Sequence, residues 1–407
     1  MKAAATIPVA RQLNIERDTG SLKEQYQSVR RYTEEICTPL ETEDFVVQPH
    51  DDISPPKWHL AHTTWFFEEL ILKPTDASYV PFNPQYSFLF NSYYDSIGER
   101  AQRVDRGNFS RPTVKEIFLY RHHVDERILS IFDRFSPDTL ALIELGLNHE
   151  QQHQELLFTD IKYILGHNPL FPPYKPGFAE HFSAEHDDGF VSIPEGEYSI
   201  GYNGYGFCYD NERETHRILL RPFQIRKSLV TNGEFLDFIK NGGYTRWDHW
   251  HSDAWAWIQA NDIRSPLYWH FVDGAWFRYA LGGLEKLDEN EPVTHISFYE
   301  ASAFASWKGL RLPTEFEWEA AADNFSWGQR WEHTNSAYLP YPGYIKPDGA
   351  LGEYNGKFMV NTMVLRGGSV VTSPNHSRKT YRNFFYPHLR WQFNGIRLCK
   401  DHGSESI

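Results

Sequence analysis

Cysteine and methionine are scarce in this chain, three of each among 407 residues. Cys37, Cys208 and Cys399 lie too far apart to write a disulfide framework or a thiolate zinc site, so a transition metal would have to be held by nitrogen and oxygen. Positive charge is also short. Forty Lys and Arg against 54 Asp and Glu leave a formal charge of -14, and the clustered basic residues that grip a phosphate backbone are missing, which argues against a nucleic-acid partner. The acidity reads instead as ordinary solubility. No apolar run approaches the roughly 20 residues of a membrane span, and the N-terminus MKAAATIPVARQLNIERD lacks the apolar stretch of a signal peptide. A cytoplasmic protein that engages no membrane is expected. Repeats and low-complexity tracts are absent too.

What is present is apolar and aromatic surface in quantity, 41% and 16% of residues, enough to bury sizeable cores. A chain of 407 residues is long for one core, so two domains are expected. Up to about residue 170 the pattern is helical. SLKEQYQSVRRYTEEIC, KWHLAHTTWFFEELIL, RPTVKEIFLYRHHVDERILSIF and SPDTLALIELGLNHEQQHQELLFTDIKYIL give four helices, the third opening on Thr113 with Glu116 in capping-box register and the fourth on Ser136-Pro137. Four such helices predict an antiparallel bundle, with a long Tyr-, Phe- and Arg-rich connection between the second and third. After Pro176 short strands alternate with turns and two helical patches, an irregular α+β domain. The boundary falls in NPLFPPYKPGFAEHFSAEHDDG, giving a bundle over 1–175 and a second domain over 185–402.

The fourth helix carries His149 and His153, four residues apart. Positions i and i+4 project from one helix face, so two imidazoles can meet one metal ion. The letters HEQQH also satisfy the H-E-x-x-H pattern of zinc proteases, but the segment downstream, LGHNPLFPPYKPGF, leaves the helix at once and offers only His167. A third ligand is better sought upstream in PPKWHLAHTTWFFEEL, where His59 and His62 sit on another helix, because metal sites in bundles are built from facing helices. Glu150 follows His149 directly and points about 100° away from it around the helix, whereas Gln152 at i+3 lies nearer the ligand face.

LAHTTWFFE and NHEQQHQELL resemble the DinB-like bundle of the ergothioneine-biosynthesis sulfoxide synthases. PEGEYSIG, PVTHISFYEASAFASWKGLRLPTEFEWEAAA, VLRGGSV and FNGIRL resemble the formylglycine-generating-enzyme fold, which is related to C-type lectins. The similarity covers nearly the whole chain, and finding both halves in this order is more specific than either motif alone. The resemblance implies an α+β protein of two domains, a four-helix DinB-like bundle followed by an irregular C-type-lectin-like domain. It also implies an iron(II) enzyme that uses O2 to join the thiol of cysteine to C2 of the hercynine (Nα-trimethylhistidine) imidazole, giving a sulfoxide. On this resemblance His62, His149 and His153 hold the iron, and His59 is a structural neighbour. Three neutral nitrogens leave a ferrous ion its charge and open positions for thiolate, imidazole and dioxygen.

The resemblance assigns Gln152 to the substrate imidazole. It also calls for a tyrosine hydroxyl near the reacting oxygen, which points to Tyr93 or Tyr94 in NSYYDSIGERAQR, one acting in catalysis and the other as its hydrogen-bonding neighbour. Arg100, Arg103 and Arg106 follow as partners for the cysteine carboxylate, with Arg103 ranked first and Arg100 beside it. In the closing motif TYRNFFYPHLRWQFNGIRL, Asn383 is expected to take the hercynine carboxylate and Phe384 and Phe385 its quaternary ammonium. Members that use γ-glutamylcysteine carry a tryptophan, an aspartate and an arginine where this chain has Phe384, Phe385 and Leu389. A glutamyl group without partners would be penalised, so free cysteine is the expected sulfur donor. Formylglycine-generating activity is not expected, because in that family the working residues are paired cysteines and this chain has no pair in the corresponding region. Gly367-Gly368 are read as backbone devices, and Trp307 and Trp318 as core. The competing readings are use of γ-glutamylcysteine, a zinc- or nickel-dependent DinB-like thiol transferase, and a lectin-like binding module with the bundle as scaffold.

Overall fold

Side-chain chemistry starts two of the long N-terminal helices. Thr113 accepts from the backbone N–H of Glu116, whose carboxylate returns the bond to Thr113 N, and Val114–Ile131 follows. Ser136 accepts from Thr139 N with Pro137 at the first helical position, and Pro137–Gly166 follows. Each such cap is worth about 1 kcal/mol. In the computed structural model, which describes residues 19–181, 187–348 and 352–401, these are α3 and α4 of a helical unit whose other long members are α1 (Thr19–Cys37) and α2 (Pro56–Phe67). The N-terminal stretch read for a signal peptide lies outside the described residues, as does part of the inter-domain segment. No helix among the described residues is long and apolar enough to cross a membrane.

Every residue of α2 is buried, so its sequence shows no polar stripe and it forms the centre of the unit, packed by α3 and α4. Past Phe67 it widens into a π-helical turn, Glu68–Leu72. Gly146 lets α4 come close: a Cβ there would stand 2.8 Å from ring carbons of both Phe66 and Phe67. That approach sets the histidines of α4 against those of α2. The unit is completed from far along the chain, since Pro347–Tyr354 belongs with residues up to Asn168, while Pro169–Lys346 and Asn355–Ile407 form the second unit.

The second unit holds twelve described strands, in a three-stranded sheet β1-β4-β12, a four-stranded sheet β10-β9-β8-β11, the hairpin β2-β3 and the meander β5-β6-β7. Their bounds are β1 Phe190–Ile193, β2 Gly196–Ile200, β3 His216–Leu220, β4 Phe223–Arg226, β5 Trp269–Val272, β6 Ala275–Ala280, β7 Gly283–Lys286, β8 Trp331–Ala337, β9 Met363–Gly367, β10 Asn383–Phe385, β11 Asn394–Gly395 and β12 Cys399–Asp401. All pairings are antiparallel except β11 with β8. Its helices are α5 (Asn232–Lys240), α6 (Ser252–Ala260), α7 (Phe298–Trp307) and α8 (Glu315–Ala321). Two helical patches are expected in this unit and the structure has four helices: α5, α7 and α8 are each opened by a capping box, whereas α6, SDAWAWIQA, lacks a cap bond. Trp318 is fully buried and Trp307 packs on the core, while Gly367 takes φ 97°, a left-handed angle that costs a side chain dearly. Gly368 has a different reason, because a Cβ there would meet Ser377 Oγ at 3.0 Å.

Candidate metal centre

His62 comes from α2, and His149 and His153 come from successive turns of α4. One ligand nitrogen from each lies within 4.8 Å of the others, and all three residues are buried. Ring centroids are 5.0 Å apart for His62 and His149, 4.9 Å for His62 and His153, and 4.6 Å for His149 and His153. Among the described residues this is the one group of three or more His, Cys, Asp or Glu side chains whose donor atoms converge. Burial comes first among the causes that hold all three imidazoles below their ordinary range, His149 at about 3, and neutral rings are the form that binds metal.

Hydrogen bonding agrees. His62 Nδ1 stands 2.7 Å from the Phe90 carbonyl, which can only accept, so the ring carries its proton there and Nε2, which is buried and has no partner, keeps its lone pair. His149 has no hydrogen-bond partner at either nitrogen, a costly arrangement in a dry interior unless something else engages it. Buried donors converging on one point, with no competing carboxylate in the group, fit a metal ion held by nitrogen alone.

Glu150 lies outside this arrangement. Its carboxylate is fully buried among Arg30 Nη1 (2.9 Å), Arg121 Nη2 (2.5 Å) and Thr33 Oγ1 (2.6 Å). Burial pushes its pKa up, but the Arg121 and Arg30 guanidinium groups outweigh it and bring it to about 2. A carboxylate so committed cannot serve as the base of a zinc protease, which removes the alternative that HEQQH raises. His167 stays exposed and stacks on Tyr163.

Around the trio, Trp58 stacks on His62 at 4.5 Å and Phe66 faces His149 at 4.9 Å. Trp65 stacks on His62 at 5.7 Å and on Tyr94 at 5.4 Å, and Tyr94 stacks on Tyr93 at 4.6 Å. The structure therefore brings both tyrosines into one aromatic run with a histidine of the trio. Tyr94 is fully buried, and burial raises both phenols well above their ordinary range. Gln152 accepts a hydrogen bond from the Tyr354 hydroxyl, and the Tyr354 ring lies 5.8 Å from His149 and 6.5 Å from Tyr93. Tyr354 was missed in the sequence, being 202 residues from Gln152 in a stretch without periodicity. Glu353 beside it accepts from the backbone of Asp95 (2.9 Å) and Ser96 (3.0 Å), which fastens this turn to the tyrosine loop.

The arginines divide. Arg100 pairs with Asp95 at 2.8 Å and Arg103 with Asp52 at 3.7 Å, both at the surface. Arg106 is buried, its guanidinium 3.4 Å above Trp58, held by Ser54 Oγ at 2.8 Å and Ser92 Oγ at 3.3 Å, with no carboxylate at ion-pair distance among the described residues. Asn383, Phe384 and Phe385 belong to the second unit, on β10 against β9. There Asn383 Oδ1 accepts from Phe384 N, and Phe384 stacks on Tyr338 at 4.1 Å and on Phe358 at 5.9 Å. Leu389 is buried, and the three cysteines are unpaired.

Two family models match the chain: residues 25–157 match the DinB superfamily and residues 177–337 the sulfatase-modifying factor enzyme 1-like domain. The hercynine oxygenase of Mycolicibacterium smegmatis is 28% identical over 409 residues, spanning 86% of this chain and 91% of that protein. The hercynine oxygenase of Mycobacterium tuberculosis is 27% identical over 401 residues, again 86% of this chain and 91% of that protein. A formylglycine-generating enzyme of Streptomyces coelicolor is 36% identical, but over 156 residues that make up 35% of this chain and 49% of that protein. The chain, which joins a DinB-superfamily region to a sulfatase-modifying-factor-like region, is thus a homologue of the hercynine oxygenases along most of its length.

Proposed function

We propose that this protein is a cytoplasmic, mononuclear non-haem iron(II) oxygenase. It joins the cysteine thiol to C2 of the hercynine imidazole: hercynine, cysteine and O2 give hercynyl-cysteine sulfoxide and one water. The observation that supports this best is the buried trio His62, His149 and His153, in a chain related over 86% of its length to hercynine oxygenases. Iron held there would supply redox chemistry with O2 and favour the thiolate form of a bound thiol. The chain's own residues do the rest. Gln152, oriented by Tyr354, presents its amide to the substrate imidazole. Tyr93 and Tyr94, kept protonated by burial, hold the proton that the reacting oxygen needs. For the cysteine carboxylate Arg106 is better suited than the surface residues Arg103 and Arg100, because a buried guanidinium without a counter-ion gains most from an incoming carboxylate. Asn383, Phe384 and Phe385 are proposed to hold the hercynine carboxylate and trimethylammonium, which the hercynine KM of Asn383→Ala would read.

The test is anaerobic loading with Fe(II), then air with hercynine and either cysteine or γ-glutamylcysteine, with oxygen uptake and product mass followed together. Sulfoxide from cysteine with one O2 consumed is the expected result, and preference for γ-glutamylcysteine would correct the sulfur donor alone. Tight zinc with no oxygen uptake would overturn the oxygenase in favour of a thiol transferase. Tyr94→Phe and Tyr93→Phe should divert turnover towards cysteine sulfinate; unchanged sulfoxide yield in both would remove the tyrosines from the chemistry.

A further inference from the structure

His59 lies on α2 one turn before His62, and its ring bridges two residues of α4. Its Nδ1 is 2.8 Å from Nδ1 of His153, and its Nε2 is 2.9 Å from Asp160 Oδ2, which also accepts from Ser54 N at 2.9 Å. All three side chains are buried. Asp160 stands seven residues beyond His153, two helical turns, so both lie on the face of α4 that meets α2. Two imidazole nitrogens at 2.8 Å share one proton, and the question is which ring owns it.

We propose that Asp160 and His59 are positioning residues that set the tautomer of His153, keeping its proton on Nδ1 so that Nε2 offers a lone pair to the metal. An ionised carboxylate only accepts, so it draws the single proton of a neutral His59 to Nε2. His59 Nδ1 is then an acceptor and takes a hydrogen bond from His153 Nδ1–H. The outer bond of a ligating imidazole decides which nitrogen is free to bind. His62 reaches the same state more simply, by donating from Nδ1 to the Phe90 carbonyl. Two of the three histidines are thus set for binding before any metal arrives, and His149, bonded at neither nitrogen, is left to adjust. In the opposite arrangement a doubly protonated His59 donates to both neighbours, His153 accepts at Nδ1 and carries its proton on Nε2, and the metal must displace that proton.

The inference rests on the metal reading of the trio, but it is testable without metal. Full-length protein labelled with 15N-histidine, stripped of metal at neutral pH, should show one coupled pair of rings, one protonated at Nδ1 and the other at Nε2, neither doubly protonated. Two variants assign the pair. In His59→Phe the ring remains but the acceptor is lost, so His153 should shift towards the Nε2–H form. Affinity for Fe(II) and for Co(II), read anaerobically by equilibrium dialysis, should fall about 10- to 100-fold. In His59→Gln the amide can donate to Asp160 and accept from His153, so tautomer and affinity should stay within a few-fold of the parent protein. A space-filling role would instead tolerate Phe as well as Gln. A doubly protonated His59, or His59→Phe with unchanged tautomer and affinity, overturns the proposal. Absence of metal binding by the parent protein would instead overturn the metal reading, while the nitrogen spectrum still decided the tautomer.

Discussion

Both units bury polar groups and leave some of them unpartnered, as at Arg330 and His333 of the second unit, but among the described residues only the helical unit gathers such ligand atoms at one point. In the second unit, carboxylates meet several of the buried arginines directly: Glu315 meets Arg382 at 2.8 and 2.9 Å, Glu332 meets Arg397 at 2.6 and 2.7 Å, and Glu319 meets Arg366. Its buried His333 and His376, held by burial near about 4 and about 3, join no converging group among the described residues. The helical unit uses the same device at Glu150 with Arg30 and Arg121, and at Asp125 with Arg30, yet leaves ligand nitrogens of His62 and His149 unclaimed, the latter on the residue next to Glu150. Pairing stabilises a fold; a cluster of buried donors left unpaired raises its energy until something binds. The contrast supports the bundle as the proposed metal centre and suits the buried ion pairs of the second unit to a framework role.

The largest effect should come from removing one of the unclaimed donors. His149→Ala should abolish detectable Fe(II) retention after desalting and bring oxygen uptake to background, with the thermal unfolding midpoint little changed. Cys208→Ser, in the unit related to formylglycine-generating enzymes, should leave both metal content and turnover near the parent values. If the serine variant lost turnover with its metal intact, the second unit would carry cysteine chemistry and the contrast would fail.

Next comes the shared device. Glu150→Gln and Glu332→Gln each strip the charge from a buried carboxylate that faces guanidinium groups, and each should cost about 3–5 kcal/mol in denaturant unfolding. Only Glu150→Gln should also weaken metal binding, because it adjoins His149. Acid separates the units further. The Glu150 pKa, about 2 when folded, lies below the roughly 4.3 of an unfolded glutamate, so the group binds fewer protons in the folded state. Its contribution is therefore fully present above about pH 4.3 and drains away as pH falls towards about 2. Acid titration of the parent protein, followed by helical circular dichroism, should show a loss in that window that Glu150→Gln largely lacks.

Legibility in the sequence follows the range of the interactions. Capping boxes at Thr113, Thr231, Ser297 and Thr314 are four-residue patterns and mark helix starts well. The pair His149 and His153 is a one-turn pattern, and the bundle needed only a facing helix to complete it, so the trio was within reach, although the choice between His59 and His62 came from family resemblance. Asp160 is equally regular but was overlooked, because an acidic residue on a helix reads as a solvated one until its partner is seen. Tyr354 obeys no local rule: its segment interrupts the second unit's sequence yet belongs with the bundle, and only the fold brings it to Gln152. Arg106 is buried against Trp58 whereas Arg103 lies at the surface beside Asp52, a difference that spacing does not encode. A smaller effect follows for the tyrosine: Tyr354→Phe removes one neutral hydrogen bond, worth about 0.5–1.5 kcal/mol, so the hercynine KM should rise up to about tenfold while Fe(II) affinity holds.

The smallest effect tests the helix contact on which the trio depends. Replacing Gly146 by alanine in an ordinary helix interior would stabilise by up to about 1 kcal/mol. Here the new methyl would meet ring carbons of Phe66 and Phe67 at 2.8 Å, and both rings are fully buried with no room to swing aside. Overpacking costs typically 1–3 kcal/mol, so the balance should be a net loss of about 1 kcal/mol, with α4 displaced from α2. Because Phe66 also faces His149 at 4.9 Å, the same displacement should loosen the trio and weaken Fe(II) binding several-fold. A corresponding close approach in the second unit, Gly395 against Arg330 Cβ at 3.0 Å, lets Gly395→Ala serve as the control, destabilising without changing metal affinity. If Gly146→Ala gained stability and kept its affinity, the bundle would be looser than this contact implies, and closeness of α2 and α4 would not be what sets the histidines together.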